Sequence, residues 1–203
     1  IRKKDHTTAC FIAAHGGHTG VIKLLKDRGA DIKIISGYVE ENFDFFPNYF
    51  KCESSDDMAK HIIKDLKNYS VIIKSAAVGD YKFKKVLKNK MKKEDQEISF
   101  DMEPTIDILH QIGAKKNKNQ ILIGFCAETD NIINNAKMKI KKKNLDFIVA
   151  NDISKKGAGF GSDKSFSFLI SRNGNTEELG LIPKETLSKE IANKVSEFRQ
   201  DLS

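Results

Sequence analysis

Three stretches of the chain end an apolar run in small or polar residues: Ser75-Ala76-Ala77-Val78-Gly79-Asp80, Gly124-Phe125-Cys126-Ala127-Glu128-Thr129 and Ala150-Asn151-Asp152. Ala76, Ala77 and Gly79 let a ligand come close to the backbone, Asp80 offers a hydrogen-bond acceptor and Phe125 a stacking ring. Together these suit a base and a sugar. Taken singly, the small residues also satisfy tight helix-on-sheet packing and Asp80 a turn; it is the three ends together that point to a site. A basic helix follows the second stretch. At about 100° per residue, Ile132, Ile133, Ala136 and Ile140 form its buried face, and Thr129 or Asp130 can cap its start. Lys139 and Lys143 border that face, and Lys137 and Lys141 point to solvent. A lysine pair leaning over a strand end can hold phosphates, whereas a lysine run elsewhere is ordinarily a solvated face.

Other reactive types have plainer readings. His15 and His18 share a spacing seen in metal sites but have no third ligand nearby, so they read as surface or loop histidines. Gly157, Gly159 and Gly161 precede a strand and not a helix, which makes them a loop near the site and not a dinucleotide fingerprint. Cys126 reads as a small buried residue. Glu128 and Asp130 can bind metal, but capping explains Asp130 equally, and neither enters the candidate site. The metal ligands stay unassigned.

The elements that must position these residues alternate along the chain. Strand-like runs at 31–36, 69–77, 121–125 and 146–151 are separated by amphipathic runs at 55–68 and 131–144. Strands that are apolar throughout are those covered by helices on both faces, which predicts an α/β fold: a Rossmann-like, doubly wound and mainly parallel sheet. In such sheets ligands bind beyond the carboxyl ends of the strands. Asn173-Gly174 between two strand-like runs predicts a carboxyl-terminal β-hairpin, followed by a last helix over 184–198. The lysine-rich segment 81–99 lacks apolar periodicity and reads as an arm or flap. With 203 residues the chain reads as a single domain. Its net charge of +7, from 35 basic and 28 acidic residues, favours anionic partners without singling out nucleic acid. Cys10, Cys52 and Cys126 lie far apart, which argues against a disulfide framework or zinc knuckle and fits a reducing cytoplasm. No run is long and apolar enough to span a membrane, and residues 1–30 lack the apolar core of a signal peptide.

With these residues in view, the chain resembles the CTP-dependent phosphopantothenate-cysteine ligases of coenzyme A biosynthesis, the carboxyl half of a bifunctional bacterial enzyme. The matching stretches are ISG at 35–37, SAAVGDY at 75–81, NKMKK at 89–93, IGFCAETDN at 123–131, KKKNLDFIVANDIS at 141–154 and GFGSDKSFSFLISRNG at 159–174. The resemblance implies that Asp80, Lys90 and Phe125 contact CTP. Phe125 would lie near the cytosine, and Lys90, the implied catalytic residue, at the phosphates and the reacting carboxylate. It also implies that Lys139 and Lys143 hold the triphosphate, and that Ser75, Ala76 and the turn Thr105, Ile106, Asp107, Ile108 line the nucleotide pocket. The implied substrates are 4'-phosphopantothenate, cysteine and CTP with Mg2+, and no FMN is expected in this domain. A homodimer joined through the arm and a flavin-dependent decarboxylase, upstream or on a separate chain, are the implied partners. Activation of a carboxylate as an acyl cytidylate brings two anions together, which gives the cations their purpose.

Two departures stand out. The family's Lys-Thr-Pro-Asp-like turn reads Pro104-Thr105-Ile106-Asp107 here, and its Asn-Ser-Ser-Gly-Lys-Met-Gly-like loop has no counterpart in residues 1–32. Residues 8–32 instead resemble one ankyrin repeat, or a shortened strand-loop-helix in which Gly16, Gly17 and Gly20 stand in for the loop. Two alternatives to a ligase therefore stay open: a nucleotide-binding relative or fragment without ligation, and a non-catalytic module for protein or nucleic acid, the latter partner disfavoured by the mixed charge.

Overall fold

The computed structural model describes residues 8–13, 19–38, 43, 46–85, 97–158 and 161–201. An eight-stranded sheet forms its centre, with strand order β10-β9-β8-β7-β4-β1-β2-β3. The strands are β1 (Thr8–Ala13), β2 (Asp31–Ser36), β3 (Tyr49–Lys51), β4 (Val71–Lys74), β7 (Ile121–Glu128), β8 (Phe147–Asp152), β9 (Lys164–Ser171) and β10 (Thr176–Pro183). From β3 to β8 the neighbours are parallel, while β9 runs antiparallel to both β8 and β10. The fold is the Rossmann-like, mainly parallel α/β sheet with a carboxyl-terminal hairpin that the apolar runs predict. The helices are α1 (Thr19–Asp27), α2 (Ser55–Lys64), α3 (Ile108–Lys115), α4 (Ile132–Lys143) and α5 (Lys184–Asp201).

The unbroken apolar runs are explained by two cores. Successive strand residues point to opposite faces, so both must be apolar when helices cover both. Ile35, Ile72, Leu122, Ile148 and Ile170 pack on one side with Met58 and Ile62 of α2, Ile112 of α3, and Ala136 and Ile140 of α4. Ile34, Ile73, Ile123, Val149 and Leu169 pack on the other with Val21, Ile22 and Leu25 of α1 and Leu187, Ile191 and Val195 of α5. Arg28, just after α1, fastens the second layer: its guanidinium donates to the Ala192 carbonyl at 3.0 Å and to Asn193 Oδ1 at 3.0 Å. At the amino end of β7 and β8, Asp146 accepts from the Leu122 N–H at 2.7 Å and from Lys116 Nζ at 2.7 Å.

Three features go beyond the sequence reading. Residues 81–85 and 97–104 contain a two-stranded antiparallel ribbon of β5 (Tyr81–Phe83) and β6 (Met102–Pro104), outside the main sheet. Tyr81, Phe83, Ile98, Phe100 and Met102 are exposed, and Phe83 meets Phe100 edge-on with centroids 5.4 Å apart. Helix α3, where the sequence shows only a turn, has Asp107 as its cap. Its eight residues and the three of β3 are too short to register as periodic patterns. The cap of α4 also differs: it is Asn131, in a left-handed conformation (φ 43°), and neither Thr129 nor Asp130. Asparagine tolerates that conformation, and the helix start makes no side-chain cap hydrogen bond.

Candidate functional site

The three strand ends do converge. Beyond the carboxyl ends of β4, β7 and β8 lies a cleft of about 310 Å3, lined by Lys74, Ser75, Ala76, Phe125, Lys143 and Asn151 among others. A smaller lobe of about 110 Å3 is lined by Lys74, Val78, Gly79, Asp80, Thr105, Ile106, Asp107, Ile108 and Lys143. Lys74, Val78 and Lys143 belong to both, so the lobes meet at those side chains.

Of the residues singled out from sequence, Ser75, Ala76, Phe125 and Lys143 line the larger lobe, and Asp80, Thr105, Ile106, Asp107 and Ile108 the smaller. Lys139 lines neither; its ammonium pairs with Glu128 at the end of β7, whose other oxygen accepts from Asn135 Nδ2 at 3.2 Å. Lys90 lies outside the described residues, as do His15, Gly16, Gly17, His18, Gly159 and positions 86–96 of the arm.

Local structure explains how the smaller lobe is built. The Asp80 carbonyl accepts from the Thr105 N–H at 2.8 Å, which closes the base of the β5–β6 ribbon and brings 105–108 beside the end of β4. Asp107 Oδ1 then accepts from the His110 N–H at 3.1 Å, starting α3, while Oδ2 pairs with Lys143 Nζ at 3.1 Å. Burial opposes ionisation of Asp107, yet the His110 N–H and the Lys143 ammonium outweigh it and hold its carboxyl below the ordinary carboxylate range. The approach of α3 to α4 depends on Gly113: a β-carbon there would fall 1.9 Å from the Lys143 carbonyl oxygen. Asn144, the left-handed cap of α4, seals the contact by donating to the Gly113 carbonyl at 2.7 Å. Thr105 Oγ1 is buried in the smaller lobe with no hydrogen-bond partner among the described residues, an unmet group that a ligand can satisfy.

The larger lobe is electrostatically one-sided. Lys74, Lys143, Lys164 and Lys184 line it, and its described lining contains no carboxylate. Ser167 donates to Asn151 Oδ1 at 2.8 Å and accepts from the Ser165 hydroxyl at 2.8 Å, a polar run joining β8 and β9 beside the lobe. Cys126 lies between Phe125 and Ala127, where burial pushes its thiol up to about 11, so it is no nucleophile at neutral pH. Lys74 is the residue that pattern reading passed over. Its signal was present, a lone cation at position 74 closing the run Val71-Ile72-Ile73.

This arrangement can accept a flat ring against Phe125 and anionic groups along the lysines. Comparison with known proteins identifies the family. Residues 15–198 match the model of the DNA/pantothenate metabolism flavoprotein C-terminal domain. The chain belongs to this family. It is 37% identical over 169 residues to the coenzyme A biosynthesis bifunctional protein CoaBC of Bacillus subtilis, a match covering 83% of this chain and 41% of that protein. To the protein of the same name from Borreliella burgdorferi it is 38% identical over 165 residues, covering 80% of this chain and 41% of the relative. The chain thus spans about two fifths of the length of these relatives. Among solved structures, the C-terminal domain of coenzyme A biosynthesis bifunctional protein CoaBC superposes with a TM-score of 0.80 at 26% identity, covering 99% of this chain and 100% of that one. No helix among the described residues is long and apolar enough to cross a membrane.

Proposed function

We propose that the chain, read as one domain over residues 1–203, is a phosphopantothenate-cysteine ligase that uses CTP in coenzyme A biosynthesis. The observation that carries the reading is the two-lobed cleft itself: an aromatic ring and small residues at its walls, and four lysines without a carboxylate along its larger lobe. The names of the family and of its bifunctional relatives support the same pathway.

In this reading the carboxylate of 4'-phosphopantothenate attacks the α-phosphorus of CTP, and pyrophosphate leaves. The cysteine amine then attacks the acyl carbon of the acyl cytidylate, loses a proton and expels CMP. Both steps gather negative charge, and fixed cations lower its cost in the transition state. Lys143 serves the phosphates from the junction of the lobes, with Lys139 released from Glu128 to join it, and Lys90 contacts the reacting groups. Phe125 stacks on the base; Ser75, Ala76, Asp80 and the turn 105–108 enclose it. Among the described residues no three His, Cys, Asp or Glu side chains gather into a metal site. Mg2+ would come with the nucleotide, held by its phosphates with few protein ligands, and would neutralise charge on them as pyrophosphate leaves. A homodimer through the ribbon's exposed aromatics, a cytoplasmic setting, and a decarboxylase partner that alone holds FMN complete the proposal.

The test is pyrophosphate release from CTP, Mg2+ and 4'-phosphopantothenate, with and without cysteine, with product masses recorded. Pyrophosphate with the cysteine conjugate is the expected result. An acyl cytidylate that cysteine cannot discharge, or no release, overturns the ligase reading.

A further inference from the structure

Lys74 closes β4 at the middle of the sheet, at the point where the two lobes of the cleft join. Its ammonium donates to the Ala76 carbonyl at 2.7 Å, and among the described residues no carboxylate forms an ion pair with it. The charged groups that face it are Lys143 of α4 and Asp107 at the start of α3. Asp107 is already engaged by Lys143 and by the His110 N–H. Lys164 and Lys184 share the larger lobe and Asp80 the smaller. A largely buried cation whose one direct partner is a neutral carbonyl, and whose neighbours carry excess positive charge, is poorly placed in the empty cleft. An anionic oxygen bridging the lobes relieves it.

We propose that Lys74 is an anion-contacting residue of the cleft, holding a phosphate or carboxylate oxygen of the bound ligand where the two lobes meet. The proposal rests on the ligase reading for the identity of the ligands but not for the existence of the anion contact. Burial first, and Lys143 second, lower the Lys74 ammonium to about 8, with Asp107 acting in the opposite sense. An anion beside it favours the charged form, so ligand binding at pH 8 draws a proton onto Lys74.

The experiment is calorimetric titration of the full chain at pH 8 in two buffers of different ionisation enthalpy. CTP, inorganic pyrophosphate and 4'-phosphopantothenate are titrated separately without metal. The proteins are the wild type, Lys74→Met and Lys74→Arg. We expect the wild type to take up a fraction of a proton per ligand with at least one of the three, since Lys74 is held below its ordinary value in the ligand-free cleft. Lys74→Met then loses that uptake and binds the same ligand about tenfold more weakly, the order of one charge-assisted hydrogen bond. Lys74→Arg keeps most of the affinity without the uptake, since arginine does not titrate. The ligand that shows the effect tells nucleotide phosphates from the acyl substrate. Equal affinity and equal uptake in wild type and Lys74→Met overturn the proposal, as does failure of the wild type to bind any of the three. Lys74-dependent uptake in a protein that gives no ligation product upholds the anion contact while the ligase reading falls.

Discussion

Replacing Gly113 by alanine tests whether the packing of α3 on α4 places the lysine at the lobe junction. Helix propensity alone favours the change by about 1 kcal/mol. The structure argues the reverse, because the new methyl would lie 1.9 Å from the Lys143 carbonyl oxygen and 3.2 Å from the Asn144 β-carbon. The first obstacle is backbone, so it cannot be relieved by a side-chain rotation, and the end of α4 must move. Overpacking of this kind costs typically 1–3 kcal/mol, and so severe an overlap belongs at or above the top of that range. After the propensity gain, the net loss is about 2 kcal/mol or more. For a chain of this size that lowers Tm by roughly 4–8 °C. Urea unfolding, with the midpoint falling and the slope unchanged, measures the stability loss. The displaced residue is the one that carries Lys143, so CTP affinity should fall as well. An alanine variant as stable as wild type, with unchanged affinity, would refute the link between this helix contact and the site.

Phe125→Ala removes the proposed stacking surface and should weaken CTP binding by about 1–3 kcal/mol in equilibrium titration, while pyrophosphate binding is unaffected. Lys90→Ala should abolish pyrophosphate release; unchanged release would remove Lys90 from the chemistry. Asp146→Ala strands the buried Lys116 ammonium, and a stability loss of about 3–5 kcal/mol in chemical denaturation is expected. Lys74→Met should stabilise the ligand-free fold at pH 7. The folded state holds Lys74 near 8 against an ordinary 10.5, so the unfolded chain binds the extra proton and wild-type stability rises with pH between those values. That shift corresponds to about 3 kcal/mol, and the advantage of the variant below pH 8 should vanish by about pH 10.5, as paired thermal melts across the range will show.

The sheet was legible because its residues obey one strong constraint. Val71-Ile72-Ile73, Ile121-Leu122-Ile123 and Phe147-Ile148-Val149 are apolar at every position, and only a layer covered on both faces asks for that. The hairpin announced itself through Asn173-Gly174, whose glycine adopts φ 94°. The convergence of Ser75, Phe125 and Asn151 followed from the sheet, since parallel strands deliver their carboxyl ends to one edge. What escaped notice was set by contacts between distant segments. Nothing local to Gly113 tells that it must clear the Lys143 carbonyl, and nothing near Lys139 tells that Glu128 engages it. Lys74 was readable only as an anomaly, a cation where the strand pattern asks for an aliphatic residue. Asn131 took the cap of α4 from the better capping residues beside it by adopting a left-handed backbone, a choice that tertiary geometry makes and propensity does not.

The clasp of Arg28 on α5 also bears on how the chain acquires its fold. That bond joins residues 164 positions apart, and β1 lies between β2 and β4, with α1 in the same layer as α5. The amino-terminal layer therefore stays uncovered until the last helix has been synthesised, and the entropy of closing so long a loop is met late. Nascent chains should leave the α5-facing sides of Val21, Ile22 and Leu25 open until α5 is made, so that docking of α5 is expected as a late step, detectable as late protection of this layer in pulsed hydrogen exchange.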